Sequence, residues 1–462
     1  MTRTVPSAAA FLFDGLPIGW QVFFAIALGV VMAMFLWTVV LFVRSWSTAG
    51  HAPEAGLDGA DAFSWIFLVP ALDEELTIGD SVARLLAIPL ARRRIVVIDD
   101  ASDDATPEIL AQITHPDLTV IRRDLPDARR GKAAALNHAY RVVSERVSAG
   151  RDRVIVVVVD ADGRLHPDAP SFAAAHFADP TVGGVQSRVR IYNRRHVLTW
   201  MQDVEFGVYG SLFQSGRNDW GTAGMGGNGQ FNRLSALDAV ADEHGPWRDR
   251  LTEDQDLGLR LLTEGWKGRQ DLRATVDQQA LPRLRPLLRQ RTRWSQGNLQ
   301  SFGLVGQVWR SPFPTTSRVE LLAYLLMPIW QGVVGVALVS AFVLAILGVA
   351  PFWGGGPTWQ LVVVYLLAFG GTVLGCVAER RDDGVHGWVL GFLIGHLYAL
   401  YTWLIWPVLT RSVFRQITRR GTWTKTKREP LGAHTRDPVP ASGHAASTST
   451  SGGCSPLVRR GW

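Results

Sequence analysis

A chain of 462 residues has room for two or three domains. Its hydrophobic share of 47% is gathered into long runs at both ends, and a net charge of +6 is what basic loops beside a membrane produce. Without zinc-finger spacing, a basic zipper or an aromatic–basic RNA signature, no nucleic-acid partner is expected. Two cysteines, Cys376 in an apolar run and Cys454 near the end, can build neither a disulfide framework nor a thiolate metal site.

Residues 1–17 are a short tail of mixed polarity. Residues 18–44 are almost wholly apolar, with Gln21 as the main interruption and Trp20, Trp37 and Trp46 along or just beyond the run. A run longer than about 20 apolar residues crosses a hydrocarbon core. Its length, and the lack of a charged start tight against it, argue against a cleaved leader. Residues 45–62 read as a Gly/Ala/Asp linker. Strands are then expected at 63–71, 95–98, 118–121, 153–159 and 182–191, with a helix starting at 106 and another at 131–147 between them. Thr106-Pro107 has the cap-then-proline form of a helix start. Such alternation predicts an α/β domain with a mostly parallel sheet. Helices are predicted at 205–217, 232–240 and 257–263, around a glycine-rich stretch at 220–229. Residues 284–302, with Arg285, Arg289, Arg291 and Arg293 between leucines and Trp294, suit a helix lying at a membrane surface.

Runs at 321–350, 359–378 and 388–409 are each long enough to span. Three spans after a cytoplasmic domain put the strongly basic stretch 411–428 outside, against the rule that basic loops stay in the cytoplasm. One run must then be re-entrant, interfacial or broken, and Pro328 sits inside the first of them. The expected boundaries are a tail (1–17), a transmembrane helix (18–44), a linker (45–62), a cytoplasmic catalytic domain (63–282), an amphipathic interfacial segment (283–317), a transmembrane region of about three segments (318–411) and a basic, then disordered, tail (412–462). The expected location is the plasma membrane.

The chemistry is concentrated after the strand at 153–159, where six β-branched residues in a row run into Asp160-Ala161-Asp162-Gly163. Asp160 and Asp162 are two apart, so in extended backbone they point the same way. They stand at the C-terminal end of a parallel strand, where open α/β sheets bind ligands. Two hard oxygen ligands supply part of the shell of Mg2+ or Mn2+ and leave room for phosphate oxygens. The plainer reading of this stretch alone is a strand followed by an Asp/Gly turn.

Six patterns follow one another in order: VPALDEE at 69–75, VIDDASDD at 97–104, GKAAALNHA at 131–139, DAD at 160–162, LTEDQDLGLRL at 251–261 and QRTRW at 290–294. In this order, and wrapped by spans, they closely resemble the membrane-integrated family 2 glycosyltransferases, among them the synthases of cellulose, chitin, hyaluronan and poly-N-acetylglucosamine. The resemblance implies a GT-A-type nucleotide-sugar-binding domain and an inverting transfer, from a UDP-hexose or UDP-N-acetylhexosamine, to a growing β-linked polysaccharide. The alternative acceptor is a membrane lipid, as in glycolipid synthases of similar layout. A remoter alternative is a non-catalytic scaffold or transporter, against which the intact acidic and arginine set argues. A partner for export is left open.

The resemblance also assigns roles. Asp100 and the loop carrying Pro70 and Glu74 fall on the nucleotide side, and Lys132 near the base or phosphates. Asp162, with Asp160, falls at the metal, and Asp254, the last carboxylate of the TED triplet, becomes the base that takes the acceptor hydroxyl's proton. Asp256 is the alternative base. Glu253 is expected to face elsewhere on its helical turn, with a structural, metal-side or acceptor-side part. Gln290 and Arg293 match fixed family positions, and Arg291 and Arg293 suit a diphosphate because guanidinium donates in a planar fork. Trp294 would lie under an acceptor sugar. The loop GMGGNGQF at 224–231, with Gly227 and Asn228, resembles the acceptor-side loop, although Asn228 departs from its commonest pattern. His138 and His166 read as ordinary helix and turn residues.

Overall fold

The computed structural model describes residues 16–49, 53–54, 57–349 and 358–418. The expected tail beyond 418, including the cationic stretch at 423–429, lies outside the described residues.

The strands are β1 (Ser64–Ala71), β2 (Arg93–Asp99), β3 (Leu118–Arg122), β4 (Val154–Val158), β5 (Arg164–Leu165), β6 (Val182–Ile191), β7 (Gln230–Arg233) and β8 (Lys267–Gln278). They form one 8-stranded sheet in the order β3-β2-β1-β4-β7-β6-β8-β5. The first half is the expected parallel sheet: β1 lies between β2 and β4, and β2 pairs with β3, all in parallel. The second half is mixed, because β7 runs antiparallel to both β4 and β6.

Alternate residues of one strand face opposite sides of a sheet, and here both sides are covered. Trp65, Phe67, Val69, Ile95, Val97, Ile155 and Val157 pack toward the helices Ile78–Ala87 and Ala169–Phe177. Ile66, Leu68, Val96, Ile98, Val156 and Val158 pack toward Lys132–Arg146, Leu234–Val240 and the helix of Leu257 and Leu261. That double burial is why β1, β2 and β4 read as unbroken apolar runs rather than as alternations. Each large aliphatic side chain so buried contributes about 1.5–3 kcal/mol.

Three strands escape the sequence pattern, β5 because it is only two residues long. β7 is polar in sequence yet wholly buried, and β8 alternates charged and small residues. β7 carries the glycine-rich loop directly onto the DAD strand: Gly229 N–H donates to Val158 O at 3.0 Å. The helix expected at 205–217 is instead an α-helix, Val197–Val208, followed by a π turn, Tyr209–Gln214, and a 3-10 turn, Ser215–Trp220. The helix expected from 257 begins at Glu253, which places Asp254 in its first turn.

Among the described residues, four helical stretches are long and apolar enough to cross a membrane: Ile18–Thr48, Met327–Ile346, Gln360–Glu379 and Arg381–Ile417. The run from 321 breaks at Leu326, between Thr315–Leu325 and Met327–Ile346. Pro328 stands in the first turn of the second helix, where a missing N–H costs nothing. The last stretch breaks at 403–404 into Gly384–Thr402 and Ile405–Ile417. Its second limb comes back to the basic amphipathic helix Leu284–Gln300: Ser412 and Ser295 share a hydrogen bond at 2.8 Å, and Arg415 donates to Gln296 at 3.2 Å. The last run is thus broken, and Arg415 at its end is bonded to the amphipathic helix.

Candidate active site

The C-terminal ends of β1, β2 and β4 open on a cavity of about 600 Å³. Loops after β1 and β2 supply Pro70, Glu74 and Asp100, and the end of β4 supplies Asp160. Lys132 comes from the start of its helix, Gly227 and Asn228 from the loop before β7, and Glu253 and Asp254 from the next helix start. The amphipathic helix gives Gln290, Arg293 and Trp294. Of the residues given a site role from sequence, Asp162, Arg291 and the alternative base Asp256 do not line the cavity.

A lysine sits at the centre. Lys132 Nζ lies 2.5 Å from Asp160 Oδ1, 2.9 Å from Gly227 O and 3.9 Å from Glu253 Oε1. Burial works against its charge, but Asp160 and Glu253 outweigh burial and hold its pKa above the ordinary value. Asp254 is packed in beside it: a Cβ on Gly227 would stand 2.9 Å from Asp254 Oδ2 and 3.2 Å from Lys132 Nζ. Burial raises the pKa of Asp254, and Lys132 and the Gln255 N–H, which donates at 2.9 Å, pull it back. Burial, then the charge of Asp254, pushes Glu253 up to about 7. Its carboxylate therefore belongs to this cluster and does not turn away as expected. Asp256 does turn away; buried, it pairs with Arg260 at 2.7 Å.

On the nucleotide side, Asp100 is bonded by Arg123. Burial raises its pKa more than that guanidinium lowers it. At the other end stand Tyr209, Asn298, Tyr324 and Gln331. None of these four is marked by a sequence motif: Tyr209 comes from the π turn, Asn298 from the last turn of the amphipathic helix, and Tyr324 and Gln331 from the helices after 315.

Asp162 lies just beneath the cavity, 4% exposed, where its Oδ2 accepts the Gln279 N–H at 3.3 Å. Two expectations need correction. Asn228 is a tie between strand ends rather than a free acceptor contact. Its Oδ1 takes the Asp160 N–H at 3.1 Å, its Nδ2 donates to Gln278 at 3.0 Å, and its carbonyl accepts from Gln186 at 2.8 Å. Arg291 does not line the cavity but stands behind two residues that do. It pairs with Glu205 at 2.6 Å, and its guanidinium covers the Trp294 ring at 4.1 Å. Two helical steps rotate a side chain by about 200°, so Arg291 points away from Arg293. Arg293 does face the cavity and makes no ion pair or hydrogen bond among the described residues.

Among the described residues no group of three or more His, Cys, Asp or Glu gathers to hold a metal unaided. Asp160 at the cavity and Asp162 under it offer hard oxygens, which fit a magnesium or manganese ion whose shell a diphosphate and water complete.

The profile of the family described as "Glycosyltransferase like family 2" matches residues 65–297. The chain is 30% identical over 460 residues to the beta-monoglucosyldiacylglycerol synthase of Synechocystis sp., covering 88% of each protein. It is also 30% identical over 249 residues to the poly-beta-1,6-N-acetyl-D-glucosamine synthase of Staphylococcus aureus, covering 53% of this chain and 56% of that one. A mannosyltransferase from Pyrobaculum calidifontis, solved with GDP-Man and Mn2+, shares the fold with a TM-score of 0.57 and 19% identity, over 86% of this chain and 99% of that one.

Proposed function

The chain belongs to glycosyltransferase family 2, and from that premise we propose that it moves a sugar from a nucleotide-sugar donor to a hydroxyl on a membrane-borne acceptor, with Asp254 as general base. One observation carries this reading: Asp160, Asp254 and Arg293, far apart in the chain, meet in one cavity.

The acceptor hydroxyl has a pKa far above neutrality and needs its proton removed as its oxygen attacks the anomeric carbon. Asp254 takes that proton, and Lys132 beside it favours the ionised carboxylate against burial. As the new C–O bond forms, the bond to the diphosphate breaks and its electron pair leaves with the phosphate. Arg293, with no ion pair of its own, receives that anion through its planar fork. A bound magnesium or manganese ion would be held by Asp160 and Asp162 and would neutralise charge on the same leaving group. A single displacement inverts the anomeric centre, so an α-linked donor gives a β-linked product. Asp100, with the loop of Pro70 and Glu74, holds the nucleotide, and Trp294 offers a flat face to the acceptor ring. The catalytic domain faces the cytoplasm in this reading.

The lipid acceptor leads, because the relative named as a glycolipid synthase matches across 88% of both chains. A growing polysaccharide is the second reading, favoured by the match to the staphylococcal polymer synthase across about half of each. Membranes given a panel of labelled nucleotide sugars separate the two. Label that extracts wholly into chloroform supports the lipid; label retained as a ladder of chain lengths supports the polymer. No transfer from any sugar of the panel would sink the proposal.

A further inference from the structure

One wall of the cavity holds a carboxylate that no motif marks. Glu205, in the last turn of Val197–Val208, lines the cavity, and its side chain is 30% exposed. Its Oε2 accepts from Arg291 at 2.6 Å and from the Tyr401 hydroxyl at 2.8 Å. Its Oε1 has no partner among the described residues. Aromatic rings line the cavity beside it: Phe206, its neighbour in the chain, meets the Trp294 ring edge-on with centroids 6.1 Å apart. Arg291 joins the carboxylate to the indole, since the guanidinium that holds Glu205 also lies over Trp294 at 4.1 Å. Arg293 precedes Trp294 on that helix, and its charge acts on Asp254. Asn298, one turn beyond Trp294, and Gln331 line the same cavity, and neither side chain makes a hydrogen bond among the described residues.

We propose that Glu205 binds the acceptor through Oε1 and selects a headgroup that is a sugar ring, with hydroxyls beyond the one that is glycosylated. The inference rests on the reading of the cavity as a glycosyl-transfer site with Asp254 as base. A carboxylate beside a flat aromatic face matches a sugar in both its parts. The indole packs against ring C–H groups, and the ionised oxygen takes a short, charge-assisted bond from a hydroxyl. Arg291 and Tyr401 hold one oxygen and fix the side chain, so the other keeps its direction before any ligand arrives. A lipid alcohol with a single hydroxyl presents that hydroxyl to Asp254 and has nothing to offer Glu205. A site built to bond a hydroxyl discriminates strongly against the analogue that lacks it, because its own polar group is then left unmatched. Glu205 is therefore a specificity-determining residue, separate from the base and from the anion-binding Arg293. The sugar of a glycolipid and the end of a polysaccharide offer the same chemistry, and a glycoside without a lipid tail separates them.

The test uses the full chain in a sugar-free amine-oxide detergent, with the donor found active in the panel. The acceptors are octyl β-glucoside, octyl β-galactoside, methyl β-glucoside and dioctanoylglycerol, followed by the monodeoxy forms of the better octyl glycoside. The wild type should use that glycoside at least about tenfold better in kcat/KM than dioctanoylglycerol. One monodeoxy form should lose about tenfold or more, mainly through KM. In Glu205→Gln, which keeps the shape and removes the charge, that loss should shrink to about threefold or less, as for any two groups in contact. A Glu205 that only braces Arg291 would instead lower transfer to the parent and to every deoxy form alike. Methyl β-glucoside used as well as the octyl form supports a free saccharide end, and dependence on the octyl chain supports a lipid-borne sugar. Dioctanoylglycerol used as well as either octyl glycoside, or a deoxy loss that Glu205→Gln leaves unchanged, overturns the proposal while the transfer reading stands. Transfer to none of these acceptors, with donor still hydrolysed, overturns it too. If thermal unfolding shows that Glu205→Gln does not fold, the wild-type ranking of glycoside, deoxy forms and dioctanoylglycerol decides. If no form hydrolyses or transfers any donor, the reading of the cavity fails first.

Discussion

Asp254 works at the meeting of two opposed influences. Burial favours its neutral form and Lys132 favours its charged form. A general base must be deprotonated, so kcat/KM should fall as pH falls through the acid limb of the Glu253–Asp254 pair. The value of about 7 for Glu253 places part of that limb near neutrality. Lys132→Ala removes the cation that lowers Asp254, so the limb should move to higher pH; a limb unmoved in a pH–rate profile would contradict the assignment. Asp254→Asn should lower kcat by about 10²-fold or more while leaving nucleotide binding measurable. Gly227→Ala should also cost activity, because the added methyl stands 2.9 Å from Asp254 Oδ2; an unchanged rate at saturating substrate would show that Asp254 has room to shift. At this scale the sequence was legible where chemistry demands a residue type, as at Asp160, Asp254 and Arg293. Glu205 was not, since its meaning comes from Arg291, 86 positions away.

Helices and strands were legible where one face or both meet the core, as in β1, β2 and β4. β7 and β8 were not, because their buried polar side chains are satisfied by partners from elsewhere: Arg233 by the carbonyls of Phe177 and Val182, Asp271 by His176 and Arg273. The interfaces between elements also rest on polar contacts. Glu205 accepts from both Arg291 and Tyr401, the latter at 2.8 Å, tying the QRTRW helix to Gly384–Thr402. Tyr401→Phe removes one such bond, worth about 1–2 kcal/mol at a charged acceptor. It should loosen Arg291 and Trp294, raising the acceptor KM more than it lowers kcat. A fall in kcat alone would mean that the contact serves something else. The pair Arg217–Glu320, at 2.6 Å and fully buried, joins the turn after the π segment to Thr315–Leu325. Glu320→Ala leaves a buried guanidinium unpaired and should destabilise by about 3–5 kcal/mol. The double change Arg217→Met, Glu320→Leu should recover much of that loss in thermal unfolding.

For the whole molecule, hydropathy found the apolar stretches but not the break at 403–404, which shows itself only through what the second limb packs on. That limb is bonded to the amphipathic helix, which predicts Arg411 on the same side of the membrane as the catalytic domain. In a chain with Cys454 replaced by serine, single cysteines at the exposed positions Arg92 and Arg411 should react with an impermeant maleimide from the same side of sealed vesicles. Labelling from opposite sides would overturn the returning limb.

The walls of the cavity are drawn from Pro70 through to Gln331, and the limb that buttresses its catalytic helix comes later still. A nascent chain leaving the ribosome thus possesses the acidic cluster long before it possesses the enclosure.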